Sequence, residues 1–246
     1  MKNKKTFFVV SCFFLTQVDK LSNAPRISVV PDTEKLALDE PITREEIYHS
    51  IKTWKPLKAP GYDGMCLDFL KKTRELTKED LLQIINEMYS GMCISDQQKY
   101  GIIVCIPKHP AASHIEDYRP LTFLDTDFNL LTRIIANRLL PWMPDLLMNG
   151  QYCGLMGNTV LEAITTIRDA IPYAEVTRSS LCVLMIDFQR VFGNLSHEYL
   201  FEVLYRYGFS ERFRKRIWNI YNNSTSSVKI NGYPFRSRTP YVRDVL

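Results

Sequence analysis

Between residues 41 and 91 the apolar positions recur at helical spacing. Ile47, Ile51 and Trp54 share one face of a segment that Thr43 and Glu46 open as a capping box, with Ile42 and Ile47 as a hydrophobic staple. That pattern predicts a helix entering near Arg44. A second helix is predicted from Thr77, where Leu81, Leu82, Ile84, Ile85 and Met88 cover a broad apolar face before Gly91 stops it. Gly101 to Ile106 is an apolar strand ended by Pro107 and Lys108. Asp117 to Leu124 is extended and leads into a helix from about Thr126 to Leu140, closed by Pro141 and Pro144. Gly157 to Ala170 predicts another helix. Leu181 to Ile186, six apolar residues without a polar partner, predicts a short strand covered on both faces that delivers Asp187 to the rim of a sheet. Ser196 caps a helix through roughly Tyr207, Ser210 starts one more, and Ser226 to Asn231 is a strand turning at Asn231-Gly232.

Two stretches lack any period. From about Leu21 to Glu40 the chain is polar and carries two prolines, which predicts a linker. Lys55 to Gly64 holds two prolines, two glycines and two lysines, so it forms a basic, turn-rich loop with Lys58 facing outward. No internal repeat is visible, and strands mixed irregularly with helices predict an α+β architecture rather than a doubly wound sheet.

Composition adds limits. At 246 residues, with 46% apolar and 12% aromatic content, the chain can build a core and is not intrinsically disordered. A net charge of +4 allows a phosphate-rich partner without demanding one. Six cysteines are scattered with no C-x-x-C pair, which predicts reduced core residues and an intracellular home, nuclear or cytoplasmic. Met1-Lys-Asn-Lys-Lys ahead of Phe7 to Leu15 is signal-like, but Pro25 directly follows the small-residue site Ser22-Asn-Ala24, and secretion is not expected. No run approaches the roughly 20 apolar residues of a membrane span.

The candidate chemistry is attack of a terminal hydroxyl on a nucleoside triphosphate, in which divalent ions on carboxylates and basic groups on phosphates do most of the catalysis. Asp187 could hold metal, with the Phe188 carbonyl beside it. Lys108 and Arg119, each next to a proline, could clamp a triphosphate, and Phe192 could press on the sugar and exclude a 2′-hydroxyl. Taken one at a time, these residues also fit a strand end, solvated loop charges and a core ring. The segment Tyr205 to Arg216 interleaves aromatics with Arg212, Arg214, Lys215 and Arg216. It suits a nucleic-acid groove and equally an amphipathic helix with a wet basic face.

From Leu38 to about Val242 the chain resembles the reverse transcriptase domain of LINE-type, non-long-terminal-repeat retrotransposons. The matching pieces are Lys58-Ala-Pro-Gly-Tyr-Asp-Gly64, Ile106-Pro-Lys108, Tyr118-Arg-Pro-Leu-Thr122, Gln151-Tyr-Cys-Gly154 with Gly157-Asn-Thr159, and Ile186-Asp-Phe-Gln-Arg-Val-Phe192. Gly208-Phe209 and Ser226-Ser-Val-Lys-Ile-Asn-Gly232 follow in the same order. The resemblance implies a right-hand polymerase, helix-rich, with fingers and a partial palm and with the thumb and catalytic hairpin absent. Residues 1-37 are then a linker or signal-like segment, 38-180 fingers-like and 181-246 partial palm. It implies Asp187 as the first metal-binding aspartate, Phe192 as the residue excluding ribonucleotides, and Lys108 with Arg119 near the incoming deoxynucleoside triphosphate. Mg²⁺, an RNA template and a DNA primer are implied with them.

The chain departs from that family at Val191 and Gly193, where the family usually has alanine and aspartate. It closes on Val242-Arg-Asp-Val-Leu246, where the family continues into a Gln-Gly-Cys-Pro loop and later a Tyr-x-Asp-Asp segment. The expectation is therefore an inactive fragment, with the Asp187 strand left as an unpaired apolar edge and marginal stability. The alternatives are a non-catalytic RNA-binding remnant or a decayed element without function.

Overall fold

The computed structural model describes residues 6–9, 29–55, 59–91, 94–147, 151–152, 155, 159–184, 195–230 and 233–236. In chain order its elements are β1 (Thr6–Val9), α1 (Asp32–Asp39), α2 (Arg44–Thr53), α3 (Leu67–Ser90), β2 (Tyr100–Pro107), β3 (Tyr118–Phe123) and α4 (Thr126–Leu139). There follow α5 (Met143–Leu146), α6 (Val160–Val176), β4 (Leu181–Leu184), α7 (His197–Arg206), α8 (Glu211–Tyr221), β5 (Thr225–Ile230) and β6 (Tyr233–Arg236). This is a helix-rich α+β chain with a small sheet, and it divides into two compact units interleaved along the sequence. One holds residues 31–138 and 208–246, the other 1–30 and 139–207.

The first unit begins with local signals that act as the sequence predicts. The Thr43 hydroxyl accepts the Glu46 amide at 3.2 Å and the Glu46 carboxylate accepts the Thr43 amide at 2.8 Å, so two orphan donors of α2 are satisfied reciprocally. Ile42, Ile47 and Ile51 are buried beneath that cap. Helix α3 begins ten residues before Thr77. Nothing between Cys66 and Gly91 breaks a helix, and Thr77 sits inside it with its hydroxyl returned to the Thr73 carbonyl at 3.2 Å, so it is no cap. Leu81, Ile85 and Met88 face the core, whereas Ile84 is largely exposed. Gly91, at φ 80°, ends α3 in the left-handed conformation that favours glycine.

Helix α1 lies inside the stretch expected to be a linker, and the cause is tertiary. Its C-terminal strap, residues 38 to 41, has no local periodicity to announce it, but two arginines and a tyrosine hold its backbone. Arg216 donates to the Leu38 and Asp39 carbonyls, each at 3.0 Å, and to the Asp39 carboxylate at 3.3 Å. Arg138 donates to the Glu40 and Pro41 carbonyls, each at 2.8 Å, and pairs with the Glu46 carboxylate. The Tyr89 hydroxyl donates to the Leu38 carbonyl, and the two guanidinium carbons lie 5.3 and 4.0 Å from its ring centre.

The sheet of this unit has strand order β3-β2-β5-β6. β2 pairs antiparallel with β3, from Ile102 with Phe123 to Pro107 with Tyr118, and parallel with β5, from Tyr100 with Thr225 to Val104 with Lys229. β5 pairs antiparallel with β6, as a hairpin requires; Asn231 and Gly232, the expected turn, lie outside the described residues.

In the second unit β1 pairs in parallel with β4, Thr6 with Leu181 through Val9 with Leu184. The predicted strand therefore has a partner on one side, contributed by the signal-like segment, and an edge position on the other in this two-stranded sheet. Nor is it covered on both faces, because Cys182 is exposed and Val183 is 42% exposed. Cys66 and Cys105 are half-buried, so the described cysteines are free thiols but not core residues. Helix α6 runs past the expected end at Ala170 to Val176 with Pro172 inside it, at the cost of one backbone hydrogen bond. Ser196 caps α7 by accepting the Tyr199 amide at 3.3 Å. No helix among the described residues is long and apolar enough to cross a membrane.

Two expectations follow for the strap. Arg216→Leu should lower the unfolding free energy by about 3 kcal/mol in guanidinium titration, because buried carbonyls and the Asp39 carboxylate lose their partner; an unchanged midpoint would contradict the role given to it. Burial pushes the Glu46 carboxyl up, but the hydrogen bonds from Arg138 and the Thr43 amide outweigh it and hold the group below its ordinary 4.5. Its folded pKa is depressed, so the Arg138–Glu46 contribution is present above pH 4.5 and is lost as pH falls further. Glu46→Gln should flatten that part of the acid-stability profile.

Candidate nucleotide and nucleic-acid interface

The β2–β3 hairpin brings together two of the residues singled out from the sequence. Its apolar, β-branched run pairs across to β3, and Pro120 is tolerated because β3 is an edge strand of the sheet. Arg119 lies opposite Ile106 in register, and just beyond the strand end the Lys108 amide donates to the Asp117 carbonyl at 2.7 Å. Both cations therefore sit at one end of the hairpin, and both are exposed. The Lys108 ammonium is turned onto the Glu116 carbonyl, whereas the Arg119 guanidinium has no hydrogen bond or ion pair among the described residues.

Asp117 organises the loop between the strands. Its carboxylate accepts the His114 amide at 3.0 Å and the Ser113 amide at 3.1 Å, with His109 Nε2 at 3.5 Å. The His114 and Ser113 amides hold that carboxyl below the usual carboxylate range.

Helix α8 separates the four basic residues assigned to nucleic acid. Ser210 accepts the Phe213 amide at 3.0 Å and starts the helix as predicted. Phe213, Arg216 and Ile220 then share its buried face at helical spacing. Arg216 is 9% exposed and committed to the strap, which removes it from the solvent-facing set. Arg214 is half-buried and its Nε donates to the Phe209 carbonyl at 3.3 Å. Arg212 and Lys215 alone of the four are exposed. Lys58, Asp187, Phe188 and Phe192 lie outside the described residues, as do Val191 and Gly193. Among the described residues no group of three or more His, Cys, Asp or Glu could hold a metal ion.

The loop ending at Gly64 is fixed by a residue that sequence reasoning missed. Asp125, 2% exposed, accepts the Asp63 amide at 3.2 Å, while Thr126 donates to the Met65 carbonyl and Asp63 accepts the Met65 amide at 2.9 Å. A Cβ on Gly61 would stand 2.4 Å from both the amide nitrogen and Oδ1 of Asp125, so only glycine permits this approach. Tyr62, 62% exposed, meets Tyr100 edge-on with centroids 5.4 Å apart. The available signal was an aspartate directly before a predicted helix start. Burial raises the Asp125 carboxyl above its ordinary 3.8, and the nearby Asp63 and Asp127 charges add to that against the opposing amide hydrogen bonds.

No family profile matches the chain. It is 25% identical over 205 residues to the "Transposon TX1 uncharacterized 149 kDa protein" of Xenopus laevis, a match covering 83% of this chain and 16% of that protein. It is 29% identical over 199 residues to the "Probable RNA-directed DNA polymerase from transposon BS" of Drosophila melanogaster, covering 74% and 22% respectively. It is 26% identical over 190 residues to the "Retrovirus-related Pol polyprotein from type-1 retrotransposable element R2" of Popillia japonica, covering 77% and 26%. The chain thus spans about a sixth to a quarter of the length of the curated relatives it matches. These relatives are non-LTR retrotransposon proteins, in agreement with a reverse transcriptase domain of a LINE-type element.

The anchored loop gives a prediction whose sign depends on pH. Asp125 has a raised folded pKa, so its carboxylate opposes folding at neutral pH and that penalty disappears once both folded and unfolded states are protonated. Asp125→Asn, which keeps the accepting oxygen, should raise the melting temperature at pH 7 and leave it unchanged below pH 3.8. Gly61→Ala should lower the melting temperature at either pH, and equal stability of that variant would show that the loop is not packed on Asp125.

Proposed function

We propose that this relative of non-LTR retrotransposon proteins supplies the fingers, residues 38-180, and the first part of the palm, residues 181-246, of an RNA-directed DNA polymerase. Lys108 and Arg119 hold the triphosphate of an incoming deoxynucleotide, Arg119 as a planar fork on phosphate oxygens and Lys108 as a point charge. Asp187, with the Phe188 carbonyl, is a ligand for Mg²⁺, which when bound neutralises charge on the transferring phosphates. Phe192 lies against the sugar and excludes a 2′-hydroxyl. Lys58, Arg212 and Lys215 meet the phosphates of RNA. The observation that carries this reading is the placement of Lys108 and Arg119 at one end of the β2–β3 hairpin, where register and not sequence proximity makes them neighbours.

A two-metal site needs carboxylates placed to hold ions roughly 3.5 to 4 Å apart, and these 246 residues contain no paired-aspartate segment. We therefore expect nucleotide and RNA binding from them in isolation, but no primer extension. The exposed pair Arg212 and Lys215 on α8 favours, as a second reading, an RNA-binding module without chemistry.

Titration of a fluorescent deoxynucleoside triphosphate with Mg²⁺ distinguishes the two. Arg119→Ala should weaken binding about tenfold or more, as loss of a charge-assisted contact does. Phe192→Ala should narrow the preference for deoxy- over ribonucleotide. Nucleotide affinity indifferent to Arg119, combined with salt-sensitive RNA binding that requires Arg212 and Lys215, would replace the first reading with the second.

A further inference from the structure

A cavity of about 300 Å³ lies between α2 and α4, within the unit that holds residues 31–138, and none of the residues given a polymerase role lines it. Glu45 and His49 stand one turn apart on α2, as do Glu46 and Ser50, and Ile134, Asn137 and Arg138 share one turn of α4. The wall is mostly apolar and includes Ile134, which is 1% exposed. Charge decides what can enter. A guanidinium has five N–H donors, and all five of Arg138 are taken by the two Glu46 carboxylate oxygens, the Glu40 and Pro41 carbonyls and the Tyr89 hydroxyl. Arg138 therefore offers an anion nothing, and it already neutralises Glu46. The groups left over are acceptors. The exposed Glu45 carboxylate and the His49 ring have no hydrogen bond or ion pair among the described residues, and Asn137 donates to the Ser50 hydroxyl at 3.2 Å with its carbonyl oxygen unused.

We propose that this cavity receives the side chain of a lysine from a partner protein. Its alkyl stem lies along the apolar wall, and its ammonium donates to the Glu45 carboxylate, the Asn137 carbonyl oxygen and the His49 ring. Three donors on a compact cation thus meet three acceptors that otherwise have no partner. The volume is at the lower end of the range for ligand pockets, which suits one long side chain and not a folded segment. One uncompensated carboxylate favours a single ammonium over a polyamine, whose further charges would go unpaired. Acetylation of the incoming lysine removes both its charge and its donors, so the contact is one that acetylation breaks. This inference is independent of the polymerase reading, since it uses neither the hairpin cations nor Asp187.

The test is a titration of the whole, isotope-labelled chain followed by amide NMR shifts, with three probes that share one stem. Nα-acetyl-lysine amide should shift the amides of residues 45–50 and 134–138. Nα-acetyl-norleucine amide, which lacks the ammonium, and the Nε-acetylated lysine probe should shift them much less at the same concentration. Glu45→Gln should weaken the lysine probe by about fivefold, the upper range for a partly exposed ion pair. Glu45→Lys, which places a competing ammonium at the mouth, should abolish binding. Glu175→Gln, at an exposed acid on α6, should change nothing. Melting temperatures of the Glu45 variants should match the unmodified chain, since that side chain is exposed. The proposal is overturned if the lysine probe leaves residues 45–50 and 134–138 unmoved, if the norleucine probe binds as well, or if Glu45→Gln keeps full affinity. Spermidine shifting the same amides at lower concentration than the lysine probe would overturn it in favour of a polyamine site.

Discussion

The parallel pairing of β2 with β5 is the interaction on which the larger unit depends. That unit is assembled from two pieces of chain, residues 31–138 and 208–246, and no loop closure between them comes cheaply. Five registered pairs from Tyr100–Thr225 to Val104–Lys229 join the pieces. At the head of the ladder the Lys99 ammonium donates to the Asn222 carbonyl at 3.0 Å, 123 residues away, and the Thr225 amide donates to the Lys99 carbonyl at 3.3 Å. Arg216 makes the matching connection through the helices, reaching the strap at Leu38 and Asp39. A long-range parallel ladder and one buried guanidinium thus do what a continuous domain achieves with local turns, and damage at either is felt across the whole unit.

The frame places side chains together by strand register more than by nearness in sequence. Because β2 is central, its register fixes β3 on one side and β5 on the other. Arg119 and Lys229, far apart in sequence, become members of one face. The loop from Gly61 to Met65 is fixed at the other end of the hairpin by Asp125 and Thr126, at an electrostatic cost that the buried carboxylate makes explicit. A buried acid that opposes folding, placed where it fixes the turn from Gly61 to Met65 beside an exposed tyrosine, is the kind of local inconsistency expected near a working surface.

What could be read from the sequence was local. The capping box at Thr43 and Glu46, the glycine stop at Gly91, the Ser196 and Ser210 caps and the β2 and β5 strands each depend on residues within a few positions of one another, and they form where predicted. Helix α1 was missed because its partners, Tyr89, Arg138 and Arg216, lie far along the chain. The start of α3 was misplaced because a threonine hydroxyl can serve a mid-helix carbonyl as readily as it caps. Arg216 was grouped with its basic neighbours, although the helical phase shared with Phe213 and Ile220 would have set it apart. The hairpin that gathers Lys108 and Arg119 was legible as two strands, but the parallel partner that adds Lys229 was not, since no local period announces a pairing over such a distance.

The account stands or falls on where a nucleic-acid strand touches this chain. Photo-crosslinking of single-stranded RNA carrying 4-thiouridine, followed by mapping of the modified peptides, reads this directly. The account predicts crosslinks in the peptides that hold Lys58, Arg212 and Lys215, removed by a surplus of unlabelled strand. Crosslinks confined to residues 139–207 would contradict it.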